Sequence, residues 1–434
     1  MATGFLKVKG TEVVDGNGAP IVLRGTGLGG WVNMENFLAG YPGTESQVRS
    51  KLLEVLGPEK YEYFFDRFLY HFFTEADADY FKSLGINCIR LPFNHRYFDD
   101  DMNPRVLKAS GFKHLDRAIK ICADRGIYTI IDMHTHLARR YKDNTWVVGY
   151  NPMNEPADPQ YTRLKAFYDR LEQNIHAIDP NHIIFLEGNT YSMEWKGFDK
   201  VLPNCVYSIH DYSTMGFPKG DVYRGLPEQK EKLRSQFMRK CEFRHKHGVP
   251  VWNGEFGPIY EDPAVNPQAD ELNQCMYDML GEQMGIYDEH RISWTIWLYK
   301  DIGIQGMVHT APDSAWNKLV QPILKAKRDY WLDSCSVVGV PDELDGLLQP
   351  LADWIDRVSP TAKDTYPRNW KTRDHINRNV IHTFLAQSFV EQFGELFRGK
   401  EKDDELEELA SCFNFERCIN RTGLTKRMSE HAHM

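Results

Sequence analysis

Eight short apolar segments, each ending in polar residues, constrain the fold of this chain more than any other feature. They lie at 21–30, 86–93, 127–134, 146–156, 182–189, 206–212, 249–257 and 292–301. Amphipathic segments that predict helices separate most of them, at 74–85, 111–126, 160–179, 229–247 and 270–289. Apolar strands that alternate with helices are typical of a parallel sheet covered on both faces. Eight such units predict an α/β fold, the (β/α)8 TIM barrel, with its site at the carboxyl ends of the strands.

An open, doubly wound sheet is the main alternative to the barrel. Such a sheet usually carries a glycine-rich phosphate loop with the spacing G-x-G-x-x-G after an early strand. The first predicted strand leads into "GTGLGGW", at residues 25–31, which lacks that spacing. The barrel is therefore favoured.

The chain changes character after about residue 331. Residues 1–331 contain a predicted N-terminal β-hairpin and the barrel, whereas residues 332–434 contain amphipathic helices and no apolar strands. No Gly/Ser-rich linker separates the two regions. We therefore expect a helical C-terminal extension that packs on the barrel.

The connection between the third and fourth predicted strands is unusually short. Only residues 135–145 separate them, whereas residues 157–181 separate the fourth strand from the fifth. A helix that returns along a strand of ~17–20 Å needs roughly 11–13 residues before any loop is added. We therefore predict that helix 3 is truncated and that an internal segment has been lost, by exon skipping or an erroneous gene prediction. Such a loss would leave the cleft open beside strand 3, displace His134 and expose a seam of the core.

The residues at the strand ends supply the functional evidence, because these ends meet in one cavity in a barrel. The polar or aromatic residues found there are Arg90, Asp132, His134, Asn154, Glu155, Glu187, Asn189, His210, Asp211, Tyr212, Glu255 and Trp297. Glu155 and Glu255 follow strands 4 and 7, on opposite sides of the barrel. A retaining glycosidase uses two carboxyl groups ~5 Å apart, one as nucleophile and the other as acid and then base. Either glutamate alone would more often form a structural salt bridge.

Several motifs occur in the order found in one enzyme family. They are "VLRGTGLGGW", "CIRLPFN", "IIDMH", "YNPMNEP", "IHDY", "NGEFG" and "SWTIWLYKD". With these motifs the chain resembles glycoside hydrolase family 5 over residues from about 11 to 305, and most closely its exo-acting β-glucosidase and glucanase branches. The resemblance implies retaining hydrolysis of a β-glycosidic bond without metal or cofactor. It makes Glu155 the acid/base and Glu255 the nucleophile.

The resemblance also implies substrate-binding roles for other residues at the strand ends. Asn154 would bind a sugar hydroxyl at the cleavage point, and Trp297 would form a platform under the ring. His134 and His210 would bind the same sugar or orient the carboxylates. Arg90 and Tyr212 would favour the charged form of Glu255. Strict alternation along strand 4 would place Asn154 and Glu155 on opposite faces, so a local turn near Pro156 is required.

Three other functions remain open. The first is a sugar-binding barrel whose catalysis is impaired by the missing segment, and the second is β-mannosidase or endo-glucanase activity. The third is a metal-dependent hydrolase, because His134-Thr135-His136 has the spacing of metal ligands. That pair follows the third strand here, whereas amidohydrolase barrels carry it after the first.

Charge and composition limit the partners. A net charge of -9 and a pI near 6.0 argue against nucleic-acid binding, which requires a concentrated basic face. No apolar run reaches the ~18 residues needed to cross a bilayer, and the N-terminus lacks the features of a signal peptide. We therefore expect a cytoplasmic protein with a carbohydrate or glycoside substrate and free, buried cysteines. The oligomeric state is not determined by these features.

Overall fold

The computed structural model describes residues 4–100, 103–132, 135–217, 220–330, 342–361 and 371–432. The chain forms two compact units. The barrel unit comprises Met1–Val32, Thr74–Tyr299 and Arg421–Met434, and the helical unit comprises Asn33–Phe73 and Lys300–Asn420. This division differs from the predicted boundary at residue 331. The insertion after the first strand joins the C-terminal helices in one unit, and the end of the chain returns to the barrel unit.

Eight parallel strands close into a barrel, which confirms the predicted fold class. They are β1 (Arg24–Gly27), β2 (Cys88–Leu91), β3 (Tyr128–Asp132), β4 (Val147–Asn151), β5 (Ile183–Glu187), β6 (Cys205–His210), β7 (Val251–Glu255) and β8 (Ser293–Ile296). The barrel closes between β8 and β1, where Trp294 pairs with Arg24 and Ile296 with Thr26. Nearly every strand residue is buried, which explains the near-continuous apolar pattern.

Helices connect the barrel strands and match most of the predicted helices within a few residues. The helices of the barrel unit are Glu75–Ser83, Ala109–Ala123, Thr135–Tyr141, Arg163–His176, Asn189–Ser192, Pro227–Lys240, Glu242–His247, Ala269–Glu289 and Thr422–Ala432, with single 3-10 turns at His95–Tyr97 and Thr214–Gly216. A hairpin of Asp99–Asp100 and Asn103–Leu107 follows β2. The last helix packs on Ala269–Glu289, where Arg427 forms a 2.7 Å ion pair with Asp278.

A three-stranded antiparallel sheet precedes the barrel and covers its amino-terminal end. Its strands are Lys7–Lys9, Glu12–Val14 and Pro20–Ile21. Leu6 and Val13 join a buried cluster with Cys88, Tyr128 and Ile183, the first residues of their barrel strands. The predicted N-terminal hairpin therefore exists, and it lies at the end of the barrel opposite the carboxyl ends of the strands. The cysteines predicted to be free and buried, Cys88, Cys122, Cys205 and Cys241, are so.

The helix between β3 and β4 is short, as predicted, and spans Thr135–Tyr141. The described side chains of this connection show no exposed seam: Leu137, Ala138 and Tyr141 are buried, as are the β3 residues Ile130 and Ile131. Consecutive turns join the short helix to β4, with backbone hydrogen bonds from Lys142 to Ala138, from Asn144 to Tyr141 and from Val147 to Asn144.

The helical unit contains the remaining elements of the described chain. Its helices are Asn36–Ala39, Glu45–Phe72, Ala315–Tyr330, Asp342–Val358, Thr372–Ile376, Asn377–Ile381, His382–Glu395 and Asp403–Ser411, with a 3-10 turn at Phe415–Arg417 and a small sheet of Lys300–Asp301, Val308–Thr310 and Cys418–Asn420. Phe64 stacks on Trp316 in its core, and Arg67 pairs with Glu407 at 2.6 Å. None of the described helices is long and apolar enough to cross a bilayer.

Candidate active site

The predicted site residues that the structure describes meet at the carboxyl ends of the barrel strands. Arg90 is in β2, His210 is the last residue of β6, and Glu255 is the last residue of β7. Asn154 and Glu155 follow β4, Tyr212 follows β6 and Trp297 follows β8. His134 lies outside the described residues, so its predicted sugar-binding role and the predicted displacement stay predictions.

Arg90 is the central cation of the site. Its side chain is completely buried and donates hydrogen bonds to Glu255 Oε1 at 2.5 Å, Asn154 Oδ1 at 2.7 Å and Asp132 Oδ1 at 3.3 Å. Burial alone would lower the pKa of Arg90, but Asp132, Glu255 and Glu187 outweigh it and raise that pKa. The guanidinium is thus permanently charged and fixes three acceptors from three different strand ends.

Glu255 is buried beneath the open end of the barrel, with 6% of its surface exposed. Oε1 accepts the hydrogen bond from Arg90, and Oε2 accepts one from the Tyr212 hydroxyl at 3.0 Å. The two groups predicted to favour the charged carboxylate are therefore in place. Burial nevertheless raises the pKa of Glu255, together with the charges of Glu155 and Glu187, and outweighs the opposing effect of His210 and Arg90.

Glu155 approaches the site from a loop, not from a strand. The structure ends β4 at Asn151, earlier than the predicted end at residue 156. Glu155 has a left-handed backbone with φ of 46°. Strand alternation therefore does not apply to Asn154 and Glu155, and the turn that the sequence required occurs at Glu155 itself. Both side chains reach the site, and 30% of the Glu155 side chain is exposed.

His210 lies between three carboxyl groups. Nδ1 is 2.7 Å from Glu155 Oε1 and 3.6 Å from Glu255 Oε2, and Nε2 is 3.1 Å from Glu187 Oε2. Burial lowers the pKa of this imidazole, but Glu255, Glu187 and Glu155 raise it to about 10. His210 is therefore a cation at neutral pH. The sequence identified Glu187 as a strand-end residue but assigned it no role; its position at the end of β5, next to β6, was the available signal.

Trp297 lies against the backbone of the first strand. A Cβ on Gly27 would be 2.7 Å from its Cε3 atom, and a Cβ on Gly29 would be 2.5 Å from its Cζ2 atom. Both positions therefore need glycine for the indole to lie where it does. The Trp297 backbone N–H donates to the Phe256 carbonyl at 2.9 Å, and the peptide bond between Trp297 and Leu298 is cis. Only 6% of Trp297 is exposed, so at most one face of the ring is available as the predicted platform.

One donor atom each from Glu155, His210 and Glu255 lie within 4.8 Å of one another, a spacing that a metal ion can bridge. The chemistry of these donors fits a metal poorly. A ligating imidazole must be deprotonated, whereas the pKa of His210 is about 10, and Arg90 places a second positive charge against Glu255. His134 lies outside the described residues, so metal binding by the histidine pair at 134 and 136 stays a prediction.

Residues 65–303 match the family described as Cellulase (glycosyl hydrolase family 5), which is more than half of the chain. The chain belongs to glycosyl hydrolase family 5. A protein named beta-xylosidase from Phanerodontia chrysosporium is 44% identical over 471 residues, covering 99% of this chain and 98% of that protein. This membership confirms the resemblance inferred from the motifs and makes the chain a glycoside hydrolase.

More distant relatives have other specificities in their names. A protein named endoglycoceramidase from Cyanea nozakii is 28% identical over 192 residues, covering 40% of this chain and 33% of that protein. Among solved structures, that of an endogalactoceramidase is similar with a TM-score of 0.49 and 18% identity, over 69% of this chain and 75% of that one.

The alignment with the beta-xylosidase also bears on the shortened connection. It runs over 471 residues, whereas this chain has only 434. Since it covers nearly all of both proteins, the relative contains internal residues without a counterpart here. The loss of an internal segment from this chain stays a prediction.

Proposed function

We propose that the protein hydrolyses β-glycosidic bonds with retention, with Glu255 as the nucleophile and Glu155 as the acid/base. The observation that carries this proposal is the separation of the two carboxyl groups, which have oxygens within 4.8 Å of each other. Retaining glycosidases place their two carboxyl groups ~5 Å apart, whereas inverting enzymes leave room for a water molecule at roughly 6.5–9.5 Å.

In the first step a Glu255 oxygen attacks the anomeric carbon and the bond to the leaving oxygen breaks, while Glu155 donates a proton to that oxygen. Arg90 and Tyr212 each bind one Glu255 oxygen and so orient the carboxylate for attack. In the second step Glu155 takes a proton from water, which attacks the same carbon and releases Glu255. Every atom and proton is accounted for without a metal or cofactor.

Asn154 and Trp297 complete the proposed subsite for the sugar that is cleaved. The Asn154 amide oxygen accepts from Arg90, which leaves its amide nitrogen to donate to a sugar hydroxyl. Trp297 would lie under the ring, as aromatic side chains do in carbohydrate sites. His210 supports the same sugar or the two carboxyl groups, and His134 keeps its proposed sugar-binding role.

We propose a small β-glycoside as substrate, cleaved from its non-reducing end, with a β-glucoside or β-xyloside as the reacting sugar. The strand-end motifs favour the exo-acting glucosidase branch, and the name of the 44% identical relative favours xylosides. A glycolipid headgroup is a further form of the same substrate class. β-Mannoside and endo-glucanase activities are the alternatives to be measured in parallel.

A sugar-binding barrel with impaired catalysis is a second candidate. The short helix Thr135–Tyr141 and the longer alignment with the beta-xylosidase support it, because both are consistent with a lost active-site segment. Such a protein would bind glycosides at the same strand ends without turning them over.

A panel of nitrophenyl β-glucoside, β-xyloside and β-mannoside, together with a cello-oligosaccharide, tests both candidates. We expect hydrolysis of the glucoside or xyloside with the β-anomer as the first product in proton NMR, and loss of activity in Glu155→Gln and Glu255→Gln. Glu172→Gln, in a partly buried glutamate–histidine pair outside the site, is the matched control and should keep activity. Equal rates in parent and both catalytic variants would contradict the assigned roles. A folded, inactive parent that still binds sugar in calorimetry would favour the second candidate.

A further inference from the structure

Glu187 is a buried carboxyl group that the proposed reaction does not use. It is the last residue of β5 and has no exposed surface. Asn151 Nδ2 donates to Oε1 at 3.0 Å, and the Ser192 hydroxyl donates to Oε2. The same Oε2 lies 3.1 Å from His210 Nε2. These protein groups surround the carboxyl group, which is fully buried and leaves no surface for a substrate.

The charge of Glu187 and the charge of His210 depend on each other. Burial raises the pKa of Glu187, but His210, Arg90 and the Ser192 hydroxyl lower it to about 2. An isolated carboxylate at this depth would be strongly unfavourable, so the imidazolium is its main compensation. In return Glu187 is one of the three carboxylates that keep His210 protonated.

The ring of His210 connects this buried charge to the site. Nε2 lies at ion-pair distance from Glu187 Oε2, 3.1 Å, without the alignment of a hydrogen bond. On the other side of the ring, Nδ1 lies 2.7 Å from Glu155 Oε1 and 3.6 Å from Glu255 Oε2. The pKa of Glu187 is lowered to about 2, so this carboxylate can only accept, whereas Glu155 carries a proton when it serves as the acid. A neutral ring would therefore keep its proton on Nε2, and Nδ1 would be the atom that gains or loses one. The Tyr212 ring lies edge-on at 6.5 Å, and Lys240 Nζ donates to the His210 carbonyl at 3.0 Å.

Two further charges lie near this network. Arg90 contacts Glu255 on the side away from His210, through Oε1, and it also contacts Asp132. Lys240 pairs with Asp211, the residue after His210, at 2.7 Å. Among the described residues, the ion pairs of the His210 ring are those with Glu155, Glu187 and Glu255.

We propose that Glu187 is a positioning residue that holds a proton on His210 Nε2 and directs Nδ1 to the two catalytic carboxyl groups. The inference deepens the proposed function and rests on it. Glu187 acts through His210, which donates from Nδ1 to Glu155 when Glu155 serves as base and to Glu255 before attack. A loss of the Glu187 charge therefore changes proton transfer more than substrate binding.

Glu187→Gln tests this role, because it keeps the shape of the side chain and removes the charge. Removing a contacting opposite charge shifts a pKa by about 1–3 units, so His210 should lose its proton at lower pH. We expect the basic limb of kcat/KM to move to lower pH by about one unit or more. We expect kcat to fall about tenfold or more, most for poor leaving groups, with KM changed by less than about threefold.

Glu187→Asp and Glu172→Gln are the comparison variants. Glu187→Asp keeps the charge, so its basic limb should stay close to that of the parent even if kcat falls. Glu172→Gln removes the carboxylate from a partly buried pair, 2.7 Å from His176 Nδ1, and should leave the pH profile unchanged. A parent-like pH profile in Glu187→Gln, or identical profiles in the Gln and Asp variants, would overturn the proposal.

A spectroscopic measurement on the parent protein covers the case in which Glu187→Gln does not fold. Histidine labelled with nitrogen-15 is titrated by NMR, and the His210 signal is assigned by its loss in His210→Asn. We expect both ring nitrogens to stay protonated above pH 8, since the pKa of His210 is about 10. Titration near the ordinary value of ~6.5 would overturn the proposal. The NMR result needs no turnover, so an inactive parent tests the proposed function separately.

Discussion

The pocket around Glu255 and the loop that carries Glu155 are built in different ways, although both serve one site. Glu255 ends a barrel strand, is 6% exposed, and has both oxygens hydrogen-bonded by neighbouring strand-end residues. Glu155 lies beyond the end of β4 on a left-handed backbone, with 30% of its side chain exposed. The hydrogen-bonded strands of the barrel thus position the Glu255 carboxyl group, whereas a loop and His210 position that of Glu155.

The short connection belongs to the second of these regions. β4 pairs with β3, and the helix Thr135–Tyr141 joins the two strands. A segment lost there would act on the loop with Glu155 and on His134 before it acted on the pocket of Glu255. The contrast therefore predicts that a change in this connection alters the position of the proposed acid/base, Glu155. The position of the proposed nucleophile, Glu255, should stay the same.

The largest expected effect is the loss of activity on substitution of Glu255 or Glu155, and its dependence on the leaving group should differ between the two. Glu255→Gln should lower kcat by at least about 10⁴-fold for every leaving group, because it removes the nucleophile. Glu155→Gln should lower kcat/KM by about 10²- to 10⁴-fold for alkyl glycosides and much less for dinitrophenyl glycosides, whose leaving group needs no proton. Rates across a series of aryl glycosides measure this. The same leaving-group dependence in both variants would remove the proposed division of roles.

A substitution beside Trp297 tests whether the nucleophile side of the site is as rigid as the packing of this side chain indicates. Gly29→Ala places a Cβ 2.5 Å from the indole, so the ring must move. We expect KM to rise roughly tenfold, since about 1.4 kcal/mol of lost ring contact corresponds to that factor. Gly285→Ala is the matched control, because a Cβ there meets no atom within 4 Å. An unchanged KM in Gly29→Ala would show that Trp297 does not contact the sugar.

The acid limb of the pH profile of kcat/KM reflects the effect of burial on Glu255. Its pKa is raised above the ordinary 4.5, so the carboxylate takes up a proton at higher pH than an exposed glutamate does. As the pH falls, kcat/KM should therefore decline with an apparent pKa above 4.5, while circular dichroism shows the protein still folded. Because the carboxyl groups interact, the value belongs to the cluster and not to Glu255 alone. An acid limb below 4.5 would contradict the raised pKa.

The smallest expected effect lies in the short connection. The Tyr141 hydroxyl donates to Asp116 Oδ1 at 2.6 Å and ties the short helix to Ala109–Ala123. Tyr141→Phe should lower the free energy of unfolding by about 1–2 kcal/mol, measured by urea denaturation, with kcat/KM nearly unchanged. A similarly large fall in kcat/KM would show that this connection also supports the site.

Particular residues show how far the sequence allowed the site to be predicted. Arg90, His210, Tyr212 and Glu255 lie on or next to strands, so the order of apolar segments was enough to bring them together. The end of β4 was predicted too late because "YNPMNEP" continues the apolar pattern, whereas the ladder ends where Asp132 pairs with Asn151. The left-handed turn at Glu155 leaves no such pattern, since non-glycine residues rarely adopt it.

The contact between Glu187 and His210 could not be predicted for a related reason. Neighbouring strand ends indicate that two residues are near each other, but not which ring nitrogen faces which carboxylate. That choice depends on side-chain torsions and on space, and Gly254 provides the space, because a Cβ there would lie 3.1 Å from His210 Nε2.

The amino-acid sequence by itself determined the barrel and its family, because the alternation of strands and helices and the strand-end motifs are local patterns. The same motifs led to the proposed roles of Glu155 and Glu255. The tertiary structure decided the charge states of the site, because burial and the distances among Arg90, His210 and the carboxyl groups exist only in the folded chain. It also decided that a short connection still covers the core between β3 and β4, since the burial of Leu137 and Tyr141 depends on the helices beside them.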